Sequence, residues 1–268
     1  MKHHPYRKHT ARQAMTLIEL LVVISIIGVL AGLILPAVGN VKKKARDVQA
    51  KKDMADMKGA ISVYQHDYSR LPASSAASLT FGAPLPARID FTYGTTGTGY
   101  GTNVSSCPAG STPTAYQAGN AELMWILTGA TAQPADFSAM TSPTPHSSIL
   151  NSARNPRRTQ YFNAKSSGAS GVTAGKGLGT DGVMRDPWGS PYIIALDLNY
   201  DGWVSNSVYN ADLVNGFNTG LVRQGVPGTD TWALKDSVMI FSFGHDGFFA
   251  TTNAANDGVN KDNVLSWK

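Results

Sequence analysis

From Leu20 to Val41 the chain runs for 22 residues without a charge, immediately after a single glutamate, Glu19, and a basic stretch carrying Lys2, Arg7, Lys8 and Arg12. As a helix that run extends ~33 Å, about the thickness of a bilayer's hydrocarbon core. Any fold for this chain has to accommodate one membrane-length apolar helix near its start. The bases ahead of it, with no acids among them, predict a cytoplasmic N-terminus by the positive-inside rule, and the bulk of the chain on the other side.

A secretory signal would be cut after its apolar core and lost. Here the pattern continues into an amphipathic stretch. Met54, Met57, Ile61, Tyr64, Tyr68 and Leu71 recur at spacings of 3, 4, 3, 4 and 3, which is one stripe of a helix. The span and the stripe therefore predict one helix from about residue 15 to about residue 69, with the Leu71-Pro72 step ending it. Within the span, Gly28, Gly32, Pro36 and Gly39 recur at intervals of four, four and three. Small residues permit close helix approach in apolar surroundings, and Pro36 favours a kink or a melted turn.

The formal charge of +5 invites a nucleic-acid reading, which the distribution removes. Seven bases fall within residues 42–58, and without them, the leader bases and the four acids up to Asp56, 12 bases face 14 acids. The basic balance flanks the apolar run, so no nucleic-acid partner is expected. Cys107 is the only cysteine, which excludes an intrachain disulfide and a cysteine-rich metal site and leaves a buried thiol as the expectation.

Between Pro72 and about Thr180 the chain is rich in Ser, Thr, Ala, Gly and Pro and reads as loops. A short helix stands out over 121–129, with Asn120 as the expected N-cap, Gly129 as the stop, and Leu123, Trp125, Ile126 and Leu127 facing a core. The GVTAGKGLGTDG segment is not a phosphate loop: no glycine stands five before Gly175, and Lys176 is followed by Gly177. His66, His146 and His245 belong to no ligand pattern, and neither a nucleophile elbow nor an HExxH zinc motif occurs, so the chain is not expected to be an enzyme. Further on, Asp186-Pro187-Trp188-Gly189-Ser190-Pro191 forms a turn ahead of a strand over Tyr192 to Leu196, and a second strand over Val238 to Phe243 runs into GHDG. The fold class that follows is α+β, a long helix against a small antiparallel sheet.

Asp197-Leu198-Asn199-Tyr200-Asp201-Gly202 reproduces positions 1, 3, 5 and 6 of an EF-hand-like calcium loop, with Ser205 at position 9. Position 12 is Val208, where a bidentate acid is expected, and Asp212 is the nearest substitute. A hairpin turn around Asp-Gly explains the same letters, and both readings stay open.

The N-terminal layout resembles the type IV pilin and pseudopilin family. Its basic leader, small residue before the cut, apolar first mature residue, fifth-residue glutamate and proline about twenty-second are matched by Ala14, Met15, Glu19 and Pro36 within MTLIELLVVISIIGVLAGLILP. Ala14 stands where glycine is commoner and Met15 where phenylalanine is commoner. DPWGSPY resembles the DPWGNPY box of the major pseudopilins of type II secretion, and FSFGHDG with KDNVLSW resembles their closing segment. About sixty residues at each end match, while 73–180 does not.

The resemblance implies a pilin-like fold: a leader over 1–14, a helix over 15–71 whose half 15–41 is transmembrane, and a globular extracytoplasmic domain over 72–268 with an insertion around 73–180. It implies cleavage by a prepilin peptidase after Ala14, methylation of the Met15 amine, and assembly through Glu19, whose carboxylate pairs with the amine of a neighbouring subunit. An unpaired carboxylate in lipid is costly, so such pairing favours correct register. It implies Ca2+ in the closing loop, with Asp246, Asn256, Asp257, Asp262 and Asn263 as oxygen donors, Asn263 replacing the commoner aspartate. The expected partners are other copies of the chain, other pseudopilins and an inner-membrane assembly platform, in a single-pass inner-membrane protein with a periplasmic domain. The alternatives are a type IV pilin for adhesion or DNA uptake and a membrane-anchored substrate-binding protein.

Mass spectrometry of the membrane-extracted protein is expected to show loss of residues 1–14 and the mass of one added methyl group on the new terminus. Retention of the first fourteen residues contradicts the whole N-terminal assignment.

Overall fold

The stripe on the long helix dictates where the core forms. The structure, a computed structural model, describes residues 16–73, 90–94, 117–118, 120–129, 154–169, 175–206, 209, 214, 220–224, 231–249 and 254–268. The chain divides into two units, Met1–Ala45 and Arg46–Lys268. Helix α1 covers Leu17–Tyr68 and is unbroken through position 36, so the melted turn expected at Pro36 does not form. Proline removes one rung of the hydrogen-bond ladder and leaves the rest. The helix ends where Ser69 turns to φ 51°, two residues before Leu71-Pro72.

Within the second unit, Met54, Met57, Ile61, Tyr64 and Leu71 are buried as the periodicity predicts, joined by Ala50 and Ala60, while Tyr68 is half-buried. They pack against a five-stranded sheet of order β2-β1-β5-β8-β9, with β1 Phe91–Tyr93, β2 Gln117–Ala118, β5 Ile193–Leu196, β8 Val238–Ser242 and β9 Val264–Leu265. The β1-β5, β5-β8 and β8-β9 pairs are antiparallel, and only β1-β2 is parallel. Alternation sorts the side chains. Ile194, Leu196, Val238 and Ile240 face the cluster that contains the helix stripe, and Ile193, Ala195, Met239 and Phe241 face a second cluster. A strand covered on both faces reads as a continuous apolar run, which is why IIAL carries no polar letter.

The second cluster was not anticipated from sequence. Val204, Tyr209, Val214 and Leu221 cover that face together with the partly buried Trp232 and Trp267. Nor is the segment 73–180 only a surface insertion, because it supplies β1, β2 and helix α2, Ala121–Thr128. In α2 Leu123, Ile126 and Leu127 are buried as expected, but Met124 takes the core position assigned to Trp125, which is half-buried. Gly129 ends the helix at φ 63°.

Asn120 does not cap α2; its side chain makes no cap hydrogen bond. Fully buried, it joins the helix to the sheet region, its Nδ2 donating to the carbonyls of Met184 and Tyr192 (both 2.9 Å) and its Oδ1 accepting from Met184 N–H (3.0 Å). Within the glycine-rich segment that follows α2, Gly177–Leu178 forms β3 and pairs as a hairpin with β4, Met184–Arg185. The remaining described pair is β6, Val222–Gln224, with β7, Thr231–Ala233. Cys107 and His146 lie outside the described residues, and His66 and His245 are exposed.

Asn120→Ala in the full chain in detergent is expected to cost about 3 kcal/mol in urea denaturation, because the Met184 N–H and the Tyr192 carbonyl lose their Asn120 partner and the Met184 carbonyl keeps only the Tyr192 N–H. A loss of only about 1 kcal/mol, the usual cost of deleting a cap, contradicts this bridging role.

Candidate functional site

Helix α1 begins with a device that sequence inspection overlooked. Glu19 Oε2 accepts from the Thr16 backbone N–H (2.8 Å) and from Thr16 Oγ1 (2.9 Å), and Glu19 N–H donates back to Thr16 Oγ1 (3.3 Å). This is a capping box, legible in the letters as Thr-x-x-Glu before an apolar run. Ala14 and Met15 lie outside the described residues. Beyond the cap the side chains are apolar and exposed on every side of the helix: Leu17, Ile18, Leu20, Leu21, Val22, Val23, Ile24, Ile26, Ile27, Val29, Leu30 and Leu33. A Cβ added at Gly28, Gly32 or Gly39 would meet no described atom within 4 Å. Among the described residues no helix is long and apolar enough to cross a membrane, the side chains at 34–37 and 40 lying outside that description.

At the other end of the chain, the DPWGSPY and FSFGHDG segments meet. Asp186 is fully buried. Its Oδ1 accepts from the backbone N–H of Trp188 and Ser190 (both 2.9 Å), which closes the turn, and its Oδ2 accepts from the Ser242 hydroxyl. Burial pushes the Asp186 carboxyl up to about 6, against the lowering effect of these hydrogen bonds. Ser242 Oγ in turn accepts from Gly244 N–H (3.0 Å). The next link is Asp262, whose Oδ2 accepts from the backbone N–H of His245 (2.8 Å) and Asp246 (3.1 Å). Gly244, at φ 70°, presses so closely on this residue that a Cβ there would lie 2.0 Å from the Asp262 carbonyl oxygen. Only glycine fits.

Two acceptors in this loop are left over. Asp262 Oδ1 and Asn263 Oδ1 are buried without a hydrogen-bond partner, although the Asn263 amide donates to Tyr209 Oη (2.9 Å). Adjacent orphaned oxygens fit a hard cation, which takes oxygen ligands. The other expected donors divide. Asp246 is tied to Asp262 through its backbone, while its Oδ1 accepts from Phe248 N–H (2.8 Å). Asp257 is used as the cap of a short 3-10 turn over Gly258–Asn260, and Asn256 is exposed. Among the described residues no three acidic, histidine or cysteine side chains are gathered as a metal cage.

The 197–202 segment does not turn back as a hairpin on β5, whose neighbours are β1 and β8, and Val204 instead bridges to Leu234. It forms a tight loop in which Asp197 accepts from the N–H groups of Asp201 (3.2 Å) and Gly202 (3.0 Å), with Tyr200 at φ 59° and Gly202 at φ 83°. Asn199 Oδ1 accepts from Asp201 N–H (3.1 Å), and Asp201 Oδ1 accepts from Trp203 N–H (2.9 Å). Val208 and Asp212, the position-12 residue and its substitute, lie outside the described residues.

Residues 10–35 match the family model of the prokaryotic N-terminal methylation motif. The chain is 38% identical over 63 residues to the type II secretion system core protein G of Klebsiella pneumoniae, a match covering 24% of this chain and 45% of that protein. It is 36% identical over 63 residues to the core protein G of Pectobacterium carotovorum subsp. carotovorum, covering 24% and 40%. It is also 39% identical over 67 residues to the fimbrial protein EcpC of Eikenella corrodens, covering 25% and 44%. The chain thus spans less than half the length of these curated relatives. No solved structure matches it. In its N-terminal region, therefore, this chain carries the prokaryotic N-terminal methylation motif and is similar to type II secretion system core proteins G and to a fimbrial protein.

Proposed function

We propose that the protein is a structural subunit of a type II secretion pseudopilus. Its leader is removed after Ala14, the new amine on Met15 is methylated, and residues 15–41 anchor it in the inner membrane with the globular domain in the periplasm. From there it is drawn into a helical filament with other copies and other pseudopilins. The observation that carries this reading is the all-round apolar exposure of α1 from Leu17 to Leu33. A helix apolar on every side is stable only when lipid or other helices surround it, and lateral packing of such helices is the mechanical act of assembly. The open space at Gly28 and Gly32 admits a neighbouring backbone.

Glu19 then has two successive partners. In the single subunit Thr16 satisfies it. In the filament the ammonium of a neighbouring subunit's first residue takes over, exchanging two neutral donors for an opposite charge, which is the stronger bond in a medium of low dielectric. The closing loop adds stability to the globular domain by holding Ca2+ on Asp262, Asn263 and Asp246, with the neighbouring carbonyls completing an oxygen shell.

Two outcomes test this. Glu19→Gln keeps the capping box, since glutamine also serves at that position, but removes the charge. Crosslinking in cells is expected to show filaments for Thr16→Ala, which loses about 1 kcal/mol of cap, and none for Glu19→Gln or Glu19→Ala. Normal filaments from Glu19→Gln would mean that the glutamate is only a cap. For the closing loop, limited proteolysis between His245 and Asp262 is expected to be fast in EGTA and slow in calcium, and Asp262→Ala is expected to be cut fast in both. Equal protection of the wild type with and without calcium removes the metal from this loop.

A further inference from the structure

Asp90 is 3% exposed and was not singled out by any sequence pattern. It precedes β1, and one step past the last paired residues, Phe91 and Leu196, the antiparallel register sets it opposite Asp197, which is 4% exposed. Directly opposed residues project from the same face, with Cβ atoms about 5 Å apart. The far side of the 197–205 loop closes on Asp90 as well. Asp90 N–H donates to the Ser205 carbonyl (3.1 Å), and Ser205 N–H donates to Asp90 Oδ2 (2.8 Å). The other oxygen, Asp90 Oδ1, is buried without a partner.

Two buried carboxylates facing each other repel and lose their hydration, and this pair has no basic neighbour. Among the described residues no lysine, arginine or histidine forms an ion pair with Asp90, Asp197 or Asp201. Such a pair persists when a proton or a cation lies between its members. The surroundings favour the cation. Asn199 and Asp201 stand on the exposed side of the same loop, every donor is oxygen, and the two positive φ values at Tyr200 and Gly202 turn the chain tightly around Asp197.

We infer that Asp90, Asp197, Asn199 and Asp201 form a Ca2+ site, separate from the closing loop, in which Asp90 supplies the acid that an EF-hand takes from its twelfth position. Oxygen-only ligands select a hard cation, and a flexible loop suits Ca2+ better than the rigid octahedron of Mg2+. The two buried acids form the floor of the site. Asp201 stands outside this floor, so the three acids are not gathered in the structure; its Oδ2, which accepts from the Asn199 amide at 3.3 Å, swings in to close the site when the ion binds. The ion fastens β1 to β5 and to the start of the loop covering the second core cluster, and thereby locks part of the 73–180 segment to the sheet.

The test uses the full chain in detergent with terbium as a luminescent calcium probe, because Trp203 lies two residues from Asp201 and sensitises it. An Asp262→Ala, Asn263→Ala background removes the closing loop's metal. In that background one Tb3+ is expected to bind and to be displaced by Ca2+ but not by equal Mg2+, with a Kd of about 10−4 M, typical of extracellular modules. Asp90→Asn and Asp201→Asn are each expected to weaken it roughly tenfold or more as ligand charge is lost. Asp90→Asn is also expected to melt no lower than the wild type in EGTA, since it relieves the buried repulsion, and to lose this site's share of the rise in Tm on adding calcium. Should the background variant not fold, the wild type is expected to bind one more calcium than Asp90→Asn by equilibrium dialysis. An unchanged stoichiometry and affinity in Asp90→Asn, or no bound Tb3+ in the background variant, overturns the assignment and leaves a carboxylate pair sharing a proton.

Discussion

A helix with apolar side chains around its whole circumference cannot remain in water, and the rest of this protein follows from that constraint. Leu17 through Leu33 has no polar face to present to solvent. At ~25 cal/mol per Å2 of apolar surface, leaving such a helix uncovered costs far more than any local cap or ion pair returns. The segment therefore needs an apolar covering. The same helix past Arg46 changes character and turns one stripe inward, so a single secondary element carries both a bare apolar surface and part of the core.

The polar features adapt to that arrangement rather than drive it. Glu19 is held by Thr16 through two short hydrogen bonds that start the helix and keep its carboxylate satisfied. The hydrogen bond from Ser242 to Asp186 joins segments 56 residues apart, and those from Asp262 back to His245 and Asp246 span 17 and 16 residues. Each link leaves few backbone groups unsatisfied in a region where the chain has little regular structure. The oxygens left over, on Asp262 and Asn263 in one place and on Asp90 in another, mark the positions where the fold has acceptors but no donors.

Sequence periodicity alone located α1, its buried stripe, α2 and the two central strands β5 and β8, since each is a local pattern of apolar residues with its own period. It also located Glu19 and the two boxes, because those letters stand at fixed short spacings. The Thr16 cap was equally available in Thr-x-x-Glu and was overlooked in favour of a partner from another subunit. Asn120 was legible as a helix start but not as a bridge, because its three partners, on Met184 and Tyr192, lie more than sixty residues away.

By itself, then, the sequence determined that the chain has a membrane-length apolar helix continuing into an amphipathic one, an α+β domain behind it, and acidic turns in its last third. Tertiary structure alone decided which of those acids meet. It buried Asp90 and Asp197 beside the paired ends of β1 and β5, brought Asp262 under Gly244, used Asp257 as a cap, and placed strands from a Ser/Thr/Gly-rich stretch at the edge of the main sheet. The physical reason is range. Periodicity and caps act over a few residues and can be read from neighbours, whereas strand register and buried charge depend on segments that only the folded chain brings together.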